Sequence, residues 1–146
     1  MRFSTRVEDG MLALTDIALH SEGGSSVSVP DIAGRQGISQ KYLAQILTHL
    51  TQAGMIRAQK GLRGGYTLAR PADRIRMSEI LNALDNSILE ETQLRGNSGN
   101  LRDAVNTCLW QKMNRSLNDF AENKTFSEFL AECREQLRDE WDDYVI

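Results

Sequence analysis

Side chains that hydrogen-bond to nucleic acids are concentrated at 39–45, in the sequence SQKYLAQ. Apolar residues recur at helical spacing from Leu43 to Leu50, so this stretch forms the start of a predicted helix. The other side of that helix carries hydroxyl, amide and ammonium groups, which bind phosphate oxygens and base edges. The residues concerned are Ser39, which is also the predicted N-cap, Gln40, Lys41 and Gln45.

A basic, glycine-rich loop follows at 60–65, in the sequence KGLRGG. The flanking runs MIRAQ and YTLAR are typical of strands, so the whole segment predicts a β-hairpin. Lys60 and Arg63 supply positive charge, and the glycines permit a sharp turn and a close approach to a phosphate. Two helices around a glycine also occur in ordinary helical domains. The polar helix start and the basic hairpin together favour a winged helix-turn-helix that binds DNA.

The elements that must position these two stretches precede them in the chain. A first helix is predicted over 2–20, with its apolar residues on one stripe and its acidic residues, including Asp16, outside that stripe. Gly10 inside this helix indicates close packing against a neighbour. A loop is predicted at 21–28, and Ser28 caps the short helix that follows, which a glycine ends.

Charge is divided unevenly along the chain. The 146 residues include 17 Lys and Arg against 20 Asp and Glu, for a net charge of −3. Residues 1–76 hold ten basic and six acidic residues, whereas residues 77–146 hold seven and fourteen. An acidic protein can bind DNA when its positive field is local, so the basic half is the one expected to meet phosphate.

Length and motifs argue against several other classes of protein. No apolar run approaches the ~20 residues that cross a bilayer, and the start MRFSTRVEDG lacks a secretory apolar segment, so we expect a cytoplasmic protein with no membrane partner. We find no phosphate loop, dinucleotide fingerprint, Cys-x-x-Cys pair or credible Ser/His/Asp group. We therefore expect no enzymatic activity, no metal and no cofactor.

The C-terminal half predicts a homodimer. After a short helix opened at Met77 and a glycine-bearing loop, apolar residues four apart follow one helix from Leu101 to Ala121. So long an apolar stripe needs a partner surface, and a second copy is the economical one, because a palindromic site requires two recognition helices about 34 Å apart. Packing back on the chain's own N-terminal domain is the alternative, and both arrangements are compatible. A further helix begins at 125 or 127.

A resemblance to a known family is carried by four segments: MRFSTR, IAGRQGISQKYLAQIL, AGMIRAQKGLRGGYTLARP and SEILNAL. They resemble the IscR/NsrR/CymR family of bacterial transcription regulators over nearly the whole chain, and the pairing of G-I-S-x-x-Y-L with K-G-x-x-G-G-Y is highly specific. The resemblance implies a mainly α fold with a small β-hairpin wing, that is, a winged helix-turn-helix plus a long C-terminal dimerisation helix. It also implies binding to palindromic operators in double-stranded DNA.

Domain boundaries and DNA-binding residues follow from the patterns and the resemblance together. We expect a winged helix-turn-helix domain at 1–85, a loop at 86–100, dimerisation helices at 101–138 and a C-terminal tail at 139–146. The start of the chain supplies further phosphate contacts, with a merely solvated terminus as the alternative. The full expected set is Arg2, Thr5, Arg6, Ser28, Ser39, Gln40, Lys41, Tyr42, Gln45, Lys60, Arg63 and Gly64. Ala44 stands where several relatives carry Glu, so their base preference does not transfer.

Cluster-binding relatives place three closely spaced cysteines between the DNA-binding half and the long helix. This chain has only Cys108 there, with Cys133 further on, and one thiol is poor provision for an iron–sulfur cluster. A buried cysteine acting as a small hydrophobic residue is the simpler interpretation. The alternative is an iron–sulfur or redox-sensing regulator, with a cluster shared between subunits that also draws on Glu8 or His20.

The tail EWDDYVI resembles the C-terminus of serine acetyltransferases, whose terminal Ile enters the active site of cysteine synthase (O-acetylserine thiol-lyase). With the missing cysteines, this resemblance points to the CymR branch of cysteine-metabolism repressors. It implies that cysteine synthase binds the tail as a co-repressor and that O-acetylserine relieves repression by competing for the same site. The expected partner-binding residues are Asp143, Tyr144, Val145 and Ile146.

Overall fold

The computed structural model describes residues 3–90 and 99–144, without the side chains of 140–144. The first part comprises α1 (Thr5–His20), α2 (Val29–Gln36), α3 (Gln40–Gln52), β1 (Ile56–Gln59), β2 (Gly65–Leu68), a 3-10 turn (Ala72–Arg74) and α4 (Met77–Leu84). The second comprises α5 (Leu101–Val105), a π-helical turn (Asn106–Trp110), α6 (Gln111–Asn123) and α7 (Phe126–Tyr144). A mainly helical chain with a two-stranded antiparallel hairpin confirms the predicted fold class.

Local capping determines where the first three helices begin. Ser4, Ser28 and Ser39 each accept a hydrogen bond on the hydroxyl oxygen from the backbone N–H three residues later, at 3.4, 3.2 and 3.2 Å. Gly37 ends α2 in the left-handed conformation, at φ 67°. The predicted caps at Ser28 and Ser39 are confirmed. The first helix starts at Thr5, later than predicted, because Ser4 supplies its cap.

A single hydrophobic core joins the N-terminal helices to the start of the C-terminal ones. Its members include Leu14 of α1, Leu47 of α3 and Ile80 of α4. Ala121, Phe126 and Leu130 belong to the same cluster, with Phe126 fully buried. The end of α6 and the start of α7 therefore pack back on the winged helix-turn-helix, as the alternative for this region proposed.

Gly10 lies against α4. A Cβ atom at this position would be 2.3 Å from Cδ2 of Leu84, whose side chain is only 1% exposed and has no free space to retreat into. The predicted close packing at Gly10 is therefore confirmed. The neighbour is the last residue of α4, so the crossing of α1 and α4 depends on the absence of a side chain at position 10.

The hairpin has a third, one-residue strand that the sequence analysis missed. Val27 pairs with Tyr66 of β2: the Val27 N–H donates to the Tyr66 carbonyl at 2.9 Å, and the Tyr66 N–H donates to the Val27 carbonyl at 2.8 Å. The prediction of a plain loop at 21–28 was wrong at this residue. A Cβ atom at Gly65 would lie 2.3 Å from the Val27 carbonyl oxygen. Gly65 is therefore required by strand pairing within the chain.

The long C-terminal helical run differs from the prediction in two ways. The helix expected over 101–121 contains the π-helical turn at Asn106–Trp110 and continues to Asn123. The last helix continues to Tyr144, so it enters the segment 139–146 that was expected to be a tail. In the described parts of the chain, no helix combines the length and the apolar composition needed to span a bilayer.

Candidate nucleic-acid interface

The N-terminal end of α3 presents a polar surface on a firmly held helix. Its inner side is buried through Leu43, Ile46, Leu47 and Leu50, each at most 1% exposed. Gln40, Lys41 and Gln45 are exposed on the outer side, and none of them has a side-chain hydrogen bond within the described residues. Their donors and acceptors are thus free for an external partner.

Ser39, Tyr42 and Ser28 differ from those three residues because each has a task inside the fold. The hydroxyl oxygens of Ser39 and Ser28 accept the capping hydrogen bonds, so each hydroxyl retains its proton for a second partner. Tyr42 is half-buried and packs against the hydrophobic core. These three predicted site residues therefore hold the helix-turn-helix in place whether or not DNA is bound.

The hairpin loop presents Lys60 and Arg63 to solvent. Ser26 anchors this loop, because its hydroxyl donates to the Arg63 carbonyl at 2.5 Å. A Cβ atom at Gly64 would lie 3.0 Å from the carbonyl oxygens of Gln59 and Gly61. The backbone of the loop therefore leaves little room for a side chain at this position. The predicted basic loop is present, and its shape is determined by contacts to the segment before α2.

Leu62 is a feature of the loop that the sequence analysis did not select. It is fully exposed, at 109% of its reference area, between Lys60 and Arg63 at the tip of the hairpin. Apolar side chains at such positions can contact sugars or insert into a minor groove. The sequence could have identified Leu62 as a candidate site residue, because a leucine is unusual inside a basic, glycine-rich loop.

The N-terminal residues lie apart from the α3 surface. Thr5 and Arg6 are exposed in the first turn of α1, while Arg2 lies outside the described residues. Arg6 lines a small cleft with His49 and Asp85. His49 lies nine positions after Gln40, about 13 Å along α3. The structure therefore does not bring Arg6 together with Gln40 and Lys41.

An ion pair between a buried carboxylate and a partly exposed arginine fixes α2 against α1. Asp16, predicted to lie outside the apolar stripe, is only 2% exposed, so that prediction was wrong. Arg35 donates to both of its carboxylate oxygens, from Nε at 2.9 Å and Nη2 at 2.8 Å, and Gln36 Nε2 donates at 2.7 Å. His20 Nδ1 lies 3.5 Å from the same carboxylate. Both partners from α2 stand in its last turn, directly before the glycine that leads into α3.

Two opposing effects act on the pKa of Asp16. Burial by itself raises it, but hydrogen bonds from Arg35 and Gln36 and the positive charge of Arg35 outweigh burial, so the pKa lies below its ordinary value. The same hydrogen bond raises the pKa of Arg35. Asp16 is therefore a carboxylate at neutral pH, and folding favours its charged form.

The expected partner-binding residues lie at the end of α7 and beyond it. Asp143 and Tyr144 belong to the last turn of that helix, and Val145 and Ile146 lie outside the described residues. In the parts of the chain that are described, no group of three or more His, Cys, Asp or Glu side chains is arranged to hold a metal ion. Cys108 is exposed in the π-helical turn, so its interpretation as a buried hydrophobic residue was wrong, and Cys133 is half-buried on α7.

Comparison with known proteins finds relatives that are described as transcription regulators or as a cysteine regulator. The Rrf2 family model, described as an iron-dependent transcriptional regulator, matches residues 3–132. The HTH-type transcriptional regulator IscR of Erwinia tasmaniensis is 33% identical over 132 residues, which cover 89% of this chain and 79% of that protein. The structure of T. potens IscR has a TM-score of 0.76 and 30% identity, over 93% of this chain and 90% of that one. CymR (YrzC), the global cysteine regulator of B. subtilis, has a TM-score of 0.75 over 90% and 98% of the chains, and at 20% identity it shows the fold alone.

Replacing Asp16 with Asn tests the buried ion pair. Since the pKa of Asp16 is lowered by folding, the carboxylate contributes stability that is fully present above its unfolded value near 3.8 and is lost as the pH falls through the lower folded value. We expect Asp16→Asn to lower the free energy of unfolding by about 2 kcal/mol at neutral pH. The gap between the two proteins should close below about pH 4.

Urea unfolding followed by circular dichroism at fixed protein concentration measures this gap. Asp9→Asn is the matched control, because Asp9 is a half-buried carboxylate on the same helix with no ion pair among the described residues. It should change stability by less than about 0.5 kcal/mol. A gap of unchanged size at pH 2 would mean that the charge of Asp16 is not what stabilises the fold.

Proposed function

The chain belongs to the Rrf2 family of transcriptional regulators, and from this premise we propose that it is a repressor that binds a palindromic DNA operator as a homodimer. The observation that carries the proposal is the exposed, unbonded polar end of α3, on a helix whose opposite side is locked into the core. A rigid helix with free amide and ammonium groups is what recognition in the major groove requires.

The proposed contacts divide between bases and phosphates. Gln40 and Gln45 carry amides that can bond to two edge atoms of an adenine, while Lys41 suits guanine or phosphate. Ala44 is exposed on the same helix and leaves room for a close approach to the bases. Lys60 and Arg63 supply the phosphate contacts from the hairpin, which Ser26 holds in position.

Removing the two hairpin cations tests the phosphate contacts. Lys60→Ala and Arg63→Ala should each weaken binding to all duplexes by a similar factor, because a phosphate contact carries no sequence information. Each should reduce the slope of log affinity against log salt by about 0.9. Fluorescence anisotropy with a duplex selected by the parent protein from random sequences measures both effects.

Arg138→Ala serves as the control for these variants. Arg138 is exposed on α7 and is not among the residues proposed to contact DNA, and its removal changes the net charge by the same amount. It should leave the slope unchanged. An unaltered slope in Lys60→Ala and Arg63→Ala would place the hairpin away from the phosphates.

The proposed dimer rests on the outer side of the C-terminal helical run. Five large apolar side chains there are between 40% and 80% exposed, an arrangement that single-chain proteins rarely leave uncovered. They are Leu101, Val105, Leu109, Met113 and Phe120. A second copy covers this stripe with the same stripe, and two-fold symmetry then matches the symmetry of a palindromic operator.

A charge in the middle of this stripe tests the dimer. Leu109→Glu would place a carboxylate in the proposed interface, so the dissociation constant of the dimer should rise by at least about a hundredfold. Sedimentation velocity measures the change. Gln111→Glu, half a helical turn away, adds the same charge outside the stripe and should leave the dimer intact. A monomeric parent protein at micromolar concentration would contradict the proposal.

We further propose that the regulated genes serve cysteine synthesis, with cysteine synthase as co-repressor and O-acetylserine as the relieving signal. Support comes from the sequence EWDDYVI and its likeness to the segment by which serine acetyltransferases bind the synthase. In this proposal Ile146 fills the amino-acid pocket of the synthase, with Asp143, Tyr144 and Val145 at its mouth. O-acetylserine can act this way only if the synthase favours the DNA-bound form of the regulator.

An iron–sulfur or redox-sensing regulator is an alternative that fits the relatives equally well, since two of them are IscR proteins. The donors of this chain do not fit a cluster held by three cysteines, because the whole sequence contains only Cys108 and Cys133. Burial, with the nearby charge of Glu132, raises the pKa of Cys133 and keeps it a thiol, a poor ligand and a poor nucleophile.

Titrating cysteine synthase against the full-length protein tests the tail. Ile146→Ala should weaken binding by at least about tenfold, since most of a buried aliphatic side chain is lost. Leu137→Ala removes an exposed aliphatic side chain from α7 and should have no effect. Equal affinities for the parent and Ile146→Ala would contradict the synthase proposal.

Stoichiometric iron in protein purified without air would favour the alternative, an iron–sulfur regulator.

A further inference from the structure

A cleft of about 650 Å³ lies between the hairpin and α7. One wall is formed by the end of α1 and the segment after it, a second by β1 and β2, and a third by α7. The volume is within the range of sites for small molecules. None of the residues proposed to contact DNA or to form the dimer lines this cleft, so neither role accounts for it.

The charged side chains that line the cleft are mainly cationic. Arg57, Arg70 and Arg134 line it, against a single carboxylate, Glu22. Arg57 has no acidic partner in the described parts of the chain. Arg70 donates through Nη2 to Glu79 at 2.7 Å, but its Nε is buried without a hydrogen-bond partner.

Apolar side chains line the same cleft. Ala18 and Leu130 are buried in the cleft walls, and Leu68 and Pro71 also line it. Arg134 comes from α7 and forms an ion pair with Glu22, whereas Arg57 comes from β1. Guanidinium groups from two different walls of a cleft that also has aliphatic surface suit a short carbon chain that carries an anion at each end.

We propose that this cleft binds a small aliphatic dicarboxylate. One carboxylate pairs with Arg57, which is otherwise without a partner, and the other competes with Glu22 for Arg134. The carbon chain lies on the apolar surface between them. A regulatory effect of such a ligand rests on the proposed DNA binding: the segment that carries Glu22 continues to Ser26 and Val27, which hold the hairpin.

Binding is measured without DNA, so that failure of this inference and failure of the operator proposal are distinguishable. Isothermal titration of the full chain with succinate, glutarate and adipate covers chains of four to six carbons, and glutaramide is the uncharged probe. We expect saturable binding of at least one diacid and none of the diamide. Arg57→Gln should weaken that binding by at least about tenfold, because a charge-assisted pair is lost.

Two further variants make the test specific. Glu22→Gln removes the competing carboxylate from Arg134 and should tighten binding several-fold. Arg138→Gln removes a positive charge one turn beyond Arg134, outside the cleft, and should leave the affinity unchanged. Equal affinities in the parent and Arg57→Gln, or no binding of any of the three diacids, would overturn the proposal. All three positions are exposed, so the variants should fold normally, and thermal unfolding verifies this.

Discussion

The contact between the Asp16 carboxylate and the last turn of α2 is the constraint on which the DNA-binding half depends. Two short helices around a glycine have little contact area of their own, so their mutual angle must be fixed from outside. Arg35 and Gln36 bring the end of α2 to α1 through three hydrogen bonds, at a point where the chain then turns into α3. Because burial of an unpaired carboxylate is costly, placements of α2 that leave Asp16 buried without Arg35 are disfavoured.

The C-terminal helices are tied to that framework by backbone hydrogen bonds. The Phe126 N–H donates to the Ile75 carbonyl at 2.7 Å, and the Met77 N–H donates to the Lys124 carbonyl at 2.9 Å. The ring of Phe126 is fully buried next to this crossing. The helices that carry the proposed dimer stripe are therefore joined directly to the winged helix-turn-helix. Such rigid coupling suits a protein in which spacing between two recognition helices selects the operator.

Three surfaces thus have separate tasks in the proposed function. The start of α3 and the hairpin loop are proposed to bind nucleic acid and the apolar stripe a second copy, while the cleft beside α7 is proposed to bind a small dicarboxylate. The segment 21–28 connects two of them, since Glu22 meets α7 while Ser26 and Val27 hold the hairpin. A ligand or a partner protein acting on α7 has a physical route to the hairpin through this segment, and the route requires no change in the core.

The sequence by itself determined the helix starts at Ser28 and Ser39, the stop at Gly37, the buried side of α3 and the position of the hairpin. Caps, turns and apolar spacing depend on residues a few positions apart. These features can therefore be predicted without knowing which distant segment packs against them. Only the tertiary structure decided that Asp16 is buried, that Val27 pairs with Tyr66, that Arg6 lies by His49 and that Phe126 joins the N-terminal core. Each of these depends on which distant segment arrives beside the residue. The local sequence around Asp16 is the same whether the carboxylate faces water or Arg35. The hydrogen bonds that favour the buried position form only when α1 and α2 pack together.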